Sequence, residues 1–357
     1  MIWAAGLVIL LLLEAGVRWM SPNGYPAIVP ELTPQHRAYL SQIRGPLPFA
    51  KAKPAGTVRV FCLGESTAAM PEFSEYLERA LRDWRPGLRW EVLNAGVVGI
   101  DSLGLERMFR RVQGCSPDMI VVYFGHNVAF PPAYISPAVY HAARILQRSQ
   151  ALRLMALWSR ARSSRWTSPE EPVARWAGVL PRMALRCRDL GVRLVVCAPS
   201  GNLMYPPAID GTVFQDKSAT RSYGRALSLL ESGRLREAEK TLQALAARHP
   251  HIAIFRYRLG SLHRRSGDWR AARVELEKAR DLDGNPVRCS SRAVRVMRSL
   301  ARQHGFVLAD VERAFSRAAA RGITDFRLFT DSCHPRDAGL RIIAGEVVRA
   351  LSSGGPP

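Results

Sequence analysis

The sequence predicts an α/β protein built on a five-stranded parallel sheet, with an all-α repeat segment inserted late in the chain. Three observations carry this. Five short, continuous apolar runs alternate with stretches of helical periodicity, the pattern of strands covered by helices on both faces. Tight polar or glycine-bearing turns follow the first three runs directly. A 34-residue self-similarity lies between the fourth and fifth runs.

Residues 1–17 are apolar except for Glu14. The run falls slightly short of the ~20 residues that span a bilayer and exceeds the core of a cleaved signal. Residues 1–20 are therefore expected to be a signal anchor, a transmembrane helix holding the rest of the chain at a membrane, with a buried N-terminal helix as the plainer alternative. Pro22, Pro26, Pro30 and Pro34 then break the chain, so 21–56 reads as a linker.

The first strand is expected at 58–63 (VRVFCL), followed by helical spacing over 73–84. Further strands are expected at 90–93, 119–124 (MIVVYF), 192–198 (VRLVVCA) and 306–309, and a closing helix at 338–351. The sheet domain thus covers 57–215 and 287–352. In such sheets the ligand site lies beyond the carboxyl ends of the strands. Between 142 and 188, ten Arg stand against two Glu, with Ile145, Leu146, Leu152, Met155 and Trp158 interleaved at helical spacing. That suits a basic helix on a membrane surface or over an active site, and equally a packed helix with a solvated basic face.

A shift of 34 residues superposes Ser232 on Ser266, Gly233 on Gly267, Arg236 on Arg270, Ala238 on Ala272 and Leu242 on Leu276. The period and the small-residue positions resemble the tetratricopeptide repeat, here a pair over 219–286. The match weakens in the first helices, where Leu259-Gly260 fits the pattern and Arg225-Ala226 does not. Two repeats are fewer than the ~3 that stand alone, so the pair is expected to lean on the sheet domain or on the helix after Pro286. The concave surface of such repeats suits a protein partner; a spacer or lid is the plainer role.

Composition bounds the function. At 357 residues the chain exceeds one domain of ~100–200 residues, and 47% hydrophobic residues suffice for a sizeable core. The net charge of +21 comes almost wholly from arginine, with only five lysines, spread along the whole chain. Without a localised basic footprint or an RNA-binding signature, nucleic acid is not an expected partner. Six cysteines (Cys62, Cys115, Cys187, Cys197, Cys289 and Cys333) show no CxxC spacing, which argues against a structural zinc site. Cys62 and Cys197 sit in strand-like runs as small hydrophobes. Cys333 lies between Asp331 and His334, as a loop filler or a competing nucleophile.

Three separated segments supply the chemistry of acyl transfer: Gly64-Glu65-Ser66, Gly125-His126-Asn127 and Asp331-Ser332-Cys333-His334. Ser66 is the candidate nucleophile and His334 its base; Asp331, three residues before His334, is placed to hold Nδ1 so that Nε2 takes the serine proton. The Ser66 N–H at a helix start, the Gly99 N–H in the turn after the second strand and the Asn127 amide are the candidate oxyanion donors. Gly64 is read as letting the turn approach the substrate closely.

In these four blocks the chain resembles the SGNH (GDSL-like) hydrolases, its Ser, Gly, Asn and His falling on Ser66, Gly99, Asn127 and His334 with Asp331 completing DxxH. The resemblance covers about 57–200 and 306–351. It implies a three-layer α/β/α, flavodoxin-like fold and an esterase that needs no metal or other cofactor, acting on acyl esters of lipids, small molecules or carbohydrates. Glu65 stands where the family usually has Asp, and Val128 where many members have Asp, which leaves substrate preference open. Membrane-anchored members with an inserted repeat look most similar, which implies an extracytoplasmic, periplasm-like site. An α/β-hydrolase is disfavoured because Ala68 occupies the second glycine of Gly-x-Ser-x-Gly. O-acyl (acetyl) transfer to an extracytoplasmic polysaccharide, and an inactive scaffold working through its repeats, stay open.

Overall fold

The computed structural model describes residues 13–20, 41–129, 148–155, 171–208 and 216–353. Strands β1 (Thr57–Gly64), β2 (Arg89–Asn94), β3 (Met119–Tyr123), β4 (Arg193–Cys197) and β5 (Val307–Ala309) form one sheet in the order β2-β1-β3-β4-β5. Every pairing is parallel. The chain leaves β1 to one side and returns on the other for β3, so a crevice opens between the carboxyl ends of these two strands, where ligands of such sheets bind.

The strand residues read as continuous apolar runs because both faces are covered. Phe61, Leu63, Ile120, Val122, Leu194 and Val196 face one core, built with α3 (Ser102–Val112), α4 (Glu171–Asp189) and α9 (Ser291–His304). Val60, Cys62, Val121, Tyr123, Val195 and Cys197 face the other, built with α2 (Pro71–Trp84), α10 (Val311–Ala318) and α11 (Asp337–Ser353). These three layers match the expected fold class.

Between β4 and β5 lie the repeat helices α5 (Lys217–Glu231), α6 (Leu235–Arg248), α7 (Ala253–Arg265) and α8 (Trp269–Asp281), the first three sharing a core of their own around Ala226, Ala238, Leu242, Phe255 and Leu259. Gly260 is small for a reason: a Cβ there would lie 2.7 Å from Leu276 Cγ on α8. The second repeat rests on the sheet domain. Ala272 and Leu276 pack with Leu203 and Ile323, Tyr257 Oη donates to the Met204 carbonyl at 2.9 Å, and Arg273 Nη1 donates to Ser316 Oγ at 2.6 Å.

Most of the expected anchor, 1–12, and the linker stretch 21–40 lie outside the described residues. No helix among the described residues is long and apolar enough to cross a membrane. Glu14, which interrupts the apolar run, accepts from the N–H groups of Gln150 (2.8 Å) and Ala151 (3.0 Å), starting the helical turn there. Of the basic stretch 142–188, α4 is a packed helix with Trp176, Val179, Leu180 and Met183 buried. Ile145, Leu146 and Trp158 lie outside the described residues.

Gly64 is required by its neighbour in the sheet. Its φ is +147°, and a Cβ would stand 1.9 Å from the Tyr123 carbonyl oxygen. The close approach seen is to the backbone of β3. Gly64→Ala is expected to lower the unfolding free energy by about 3 kcal/mol or more, strain and overlap acting together. Gly87→Ala, with open space around it, serves as the control in urea denaturation; a loss at position 64 no larger than at 87 contradicts this account.

Candidate active site

Ser66 opens α1 (Ser66–Ala69) immediately beyond β1, and its side chain is half-buried at the rim of the crevice. His334 comes from the loop before α11. That loop is closed by a bridge between Phe329 and Pro335 and by the Thr330 N–H, which donates to the His334 carbonyl at 2.9 Å. The His334 Nε2 stands 2.7 Å from Ser66 Oγ, and its Nδ1 stands 2.7 Å from Asp331 Oδ2. A carboxylate only accepts, so the ring proton sits on Nδ1 and Nε2 accepts from the serine hydroxyl.

Asp331 is fixed before it meets the ring. Its Oδ1 accepts from the N–H groups of Cys333 and His334, both at 2.9 Å. Burial works to raise its pKa, but those two N–H groups and the imidazole outweigh it and hold the carboxyl below its ordinary value. The side chains of His334 and Asp331 remain 34% and 44% exposed, enough for a substrate to reach the relay.

The Asn127 block is placed by β3. The Asn127 Nδ2 donates one hydrogen to the Ile100 carbonyl at 3.1 Å, and an amide nitrogen has a second to give. This bond ties the block to the turn after β2, which carries Gly99 at φ +71°. The same turn launches α3, because Asp101 accepts from the N–H groups of Leu103 (2.8 Å) and Gly104 (2.9 Å). Ser66, Asn127 and Gly99 thus lie on turns that end the three adjacent strands β1, β3 and β2.

Several groups at this site were given no role by the sequence. Glu65 is fully buried, and its two oxygens accept from the N–H groups of His126 and Asn127, both at 2.9 Å. Burial pushes its pKa up to about 7, against the N–H groups of His126, Asn127 and Gly125, which pull it down. His126 is also buried; its Nδ1 accepts from the Cys289 N–H at 3.0 Å, so its proton sits on Nε2. Burial, with the nearby His334 adding to it, drives its pKa down to about 3.

Asn202, beyond β4, holds the Asp331 loop from beneath: its Nδ2 donates to the Asp331 carbonyl at 2.9 Å and its N–H to the Ser332 carbonyl at 2.8 Å. The one available signal was the Pro-Ser-Gly-Asn turn that follows the fourth strand. Arg288, buried and paired with Asp283 at 2.8 Å, in turn donates to the Asn202 carbonyl at 3.0 Å.

The donor atoms of Asp331, Cys333 and His334 lie within 4.8 Å of one another, a spacing that also suits a metal. Here the carboxylate is committed to the imidazole, and burial pushes the Cys333 thiol up to about 12, so it stays protonated at ordinary pH. The same burial makes Cys333 a poor nucleophile. All six cysteines are free and buried.

The tetratricopeptide repeat family profile matches residues 223–286. Comparison with curated proteins finds no match. Similar solved structures include an acetylxylan esterase from Geobacillus stearothermophilus, 14% identical over 82% of this chain and 94% of that one, with a TM-score of 0.43. A lipase/acylhydrolase from Enterococcus faecalis is 14% identical, covering 83% of this chain and 96% of that one, with a TM-score of 0.39. A structure described as a lipolytic protein of the G-D-S-L family, from Desulfitobacterium hafniense DCB-2, is 10% identical over 82% of this chain and 99% of that one, with a TM-score of 0.40. What the site can do chemically rests on the residues around Ser66.

The thiols give a direct check of the burial at this site. Incubated with a thiol-reactive disulfide at pH 8, the folded protein is expected to react at fewer than one of its six cysteines within minutes, and at all six in denaturant. Rapid native reaction at Cys333 contradicts the placement of that loop.

Proposed function

We propose that the protein is a serine ester hydrolase acting on O-acyl esters of lipids, small alcohols or carbohydrates. The observation that carries this reading is the relay from Ser66 Oγ to His334 Nε2 and from His334 Nδ1 to Asp331 Oδ2, 2.7 Å at each step. Ser66 Oγ attacks the acyl carbonyl as its proton passes to His334 Nε2. The carbonyl oxygen takes up the negative charge and is met by the N–H groups of Ser66 and Gly99 and by the free hydrogen of Asn127 Nδ2. Each such donor contributes about 3 kcal/mol at the transition state. Asp331 stabilises the imidazolium and keeps its proton on Nε2 aimed at the leaving alcohol oxygen. As that oxygen is protonated and the C–O bond breaks, the acyl group stays on Ser66. Water then attacks the acyl-enzyme, His334 Nε2 taking its proton, and the carboxylic acid leaves as Ser66 recovers its hydroxyl.

His126 has no part in this relay, because its Nδ1 is occupied by the Cys289 N–H and its ring is enclosed. The repeats offer a separate surface for a protein partner, consistent with the family profile they match.

A fluorophosphonate probe is expected to label the wild type at Ser66, and Ser66→Ala is expected to abolish both labelling and hydrolysis of p-nitrophenyl esters. Asp331→Asn, which removes the control of the tautomer, is expected to lower kcat by about 10⁴-fold. Labelling that persists in Ser66→Ala would refute the assignment of the nucleophile.

A further inference from the structure

We propose that Glu65 is a positioning residue for the oxyanion site: its buried carboxylate holds the Asn127 backbone so that the Asn127 amide meets the developing charge on an acyl group at Ser66. This rests on the hydrolase reading above and extends it to a residue outside the relay.

Glu65 occupies the N-cap position of α1, where an acidic side chain ordinarily accepts from the N–H groups of its own helix. It makes no such bond. The side chain instead crosses to the end of β3 and receives the consecutive N–H groups of His126 and Asn127, one on each oxygen, at 2.9 Å. Its own N–H donates to the Tyr123 carbonyl at 3.2 Å. One residue, covalently bound to the nucleophile, thereby grips the turn after β3 on both sides.

Other contacts leave that turn little freedom. A Cβ on Gly125 would lie 2.8 Å from Cys289 Sγ and 2.9 Å from Pro199 Cδ, so the turn is wedged against the segments after β4 and before α9. The His126 Nδ1 takes the Cys289 N–H at 3.0 Å. The His126 Nε2, which carries the ring proton, is 4.0 Å from Glu65 Oε1 and has no hydrogen-bond partner. The carboxylate is therefore held by backbone N–H groups and not by a cation. A buried carboxylate without a counter-ion is costly, and a strand-to-helix turn does not in itself require one. What this one achieves is to fix Asn127 relative to Ser66.

A double-mutant cycle on p-nitrophenyl acetate hydrolysis separates this role from a general structural one. Glu65→Gln keeps the volume but replaces one accepting oxygen with a donor. It is expected to lower kcat about 100-fold with KM changed less than twofold, close to the loss expected for Asn127→Ala. In the Asn127→Ala background, Glu65→Gln is expected to cost less than threefold more, because the group it positions is already gone. Glu65→Asp, which keeps the charge and shortens the reach, is expected to give the same non-additive pattern with smaller steps, and stands in if Glu65→Gln does not fold. Losses that multiply in either cycle, or a KM that rises as much as kcat falls, overturn the proposal while leaving the hydrolase reading intact. A folded wild type with no esterase activity overturns both.

Discussion

Between Ser66 Oγ and His334 Nε2 there are 2.7 Å of space and 268 residues of chain. The loop around Asp331 serves that contact. The serine is delivered by the end of β1 and the imidazole by a loop that belongs to no strand, so their meeting depends on how firmly the loop is held. It is held from several sides. Asn202 binds the carbonyls of Asp331 and Ser332. Thr324, just upstream of the loop, donates its hydroxyl to the Gly201 carbonyl at 2.6 Å. A base so fixed loses little orientational freedom when substrate arrives, which is how positioning lowers a barrier.

The support reaches beyond the sheet. Leu203 and Met204, adjoining Asn202, pack against the second repeat through Ala272, Leu276 and Tyr257. The buried Arg288, on the segment that returns from the repeats, binds the Asn202 and Tyr205 carbonyls. The inserted helices therefore buttress the same turn that carries the Asp331 loop. Two buried charged features sit close to this rim, the Glu65 carboxylate and the Arg288–Asp283 pair. Buried charges contribute little to stability on balance because desolvation offsets their attraction; what they supply here is a defined geometry for the turns after β3 and β4.

Much of this was legible in the sequence, and the boundary has a physical basis. The strands could be read because burial on both faces leaves continuous apolar runs, which need no knowledge of neighbours; β5 was the hardest, being only three residues long. Ser66, Asn127, Asp331 and His334 stood out because acyl chemistry demands those residue types after strands or at DxxH spacing. Glu65 was visible only as a departure from the usual Asp, since its partners lie 61 and 62 residues away. Arg59 was equally opaque: an arginine inside a strand reads as a surface residue, yet it is 1% exposed, with its guanidinium on Glu91 and the carbonyls of Ala50 and Cys115. Gly64 was noticed for its place beside the nucleophile and not for the β3 carbonyl it meets. In each case the missing information was tertiary: which backbone N–H, carbonyl or side chain would be brought alongside.

The most direct test of the central claim is a crystal structure of the protein carrying a phosphonate adduct on Ser66. The account predicts a phosphonyl oxygen within hydrogen-bond distance of the Ser66 N–H, the Gly99 N–H and the Asn127 Nδ2, with the His334 ring still bonded to Asp331. An adduct whose oxygen points away from Asn127 and Gly99, or a His334 ring detached from Asp331, would contradict it.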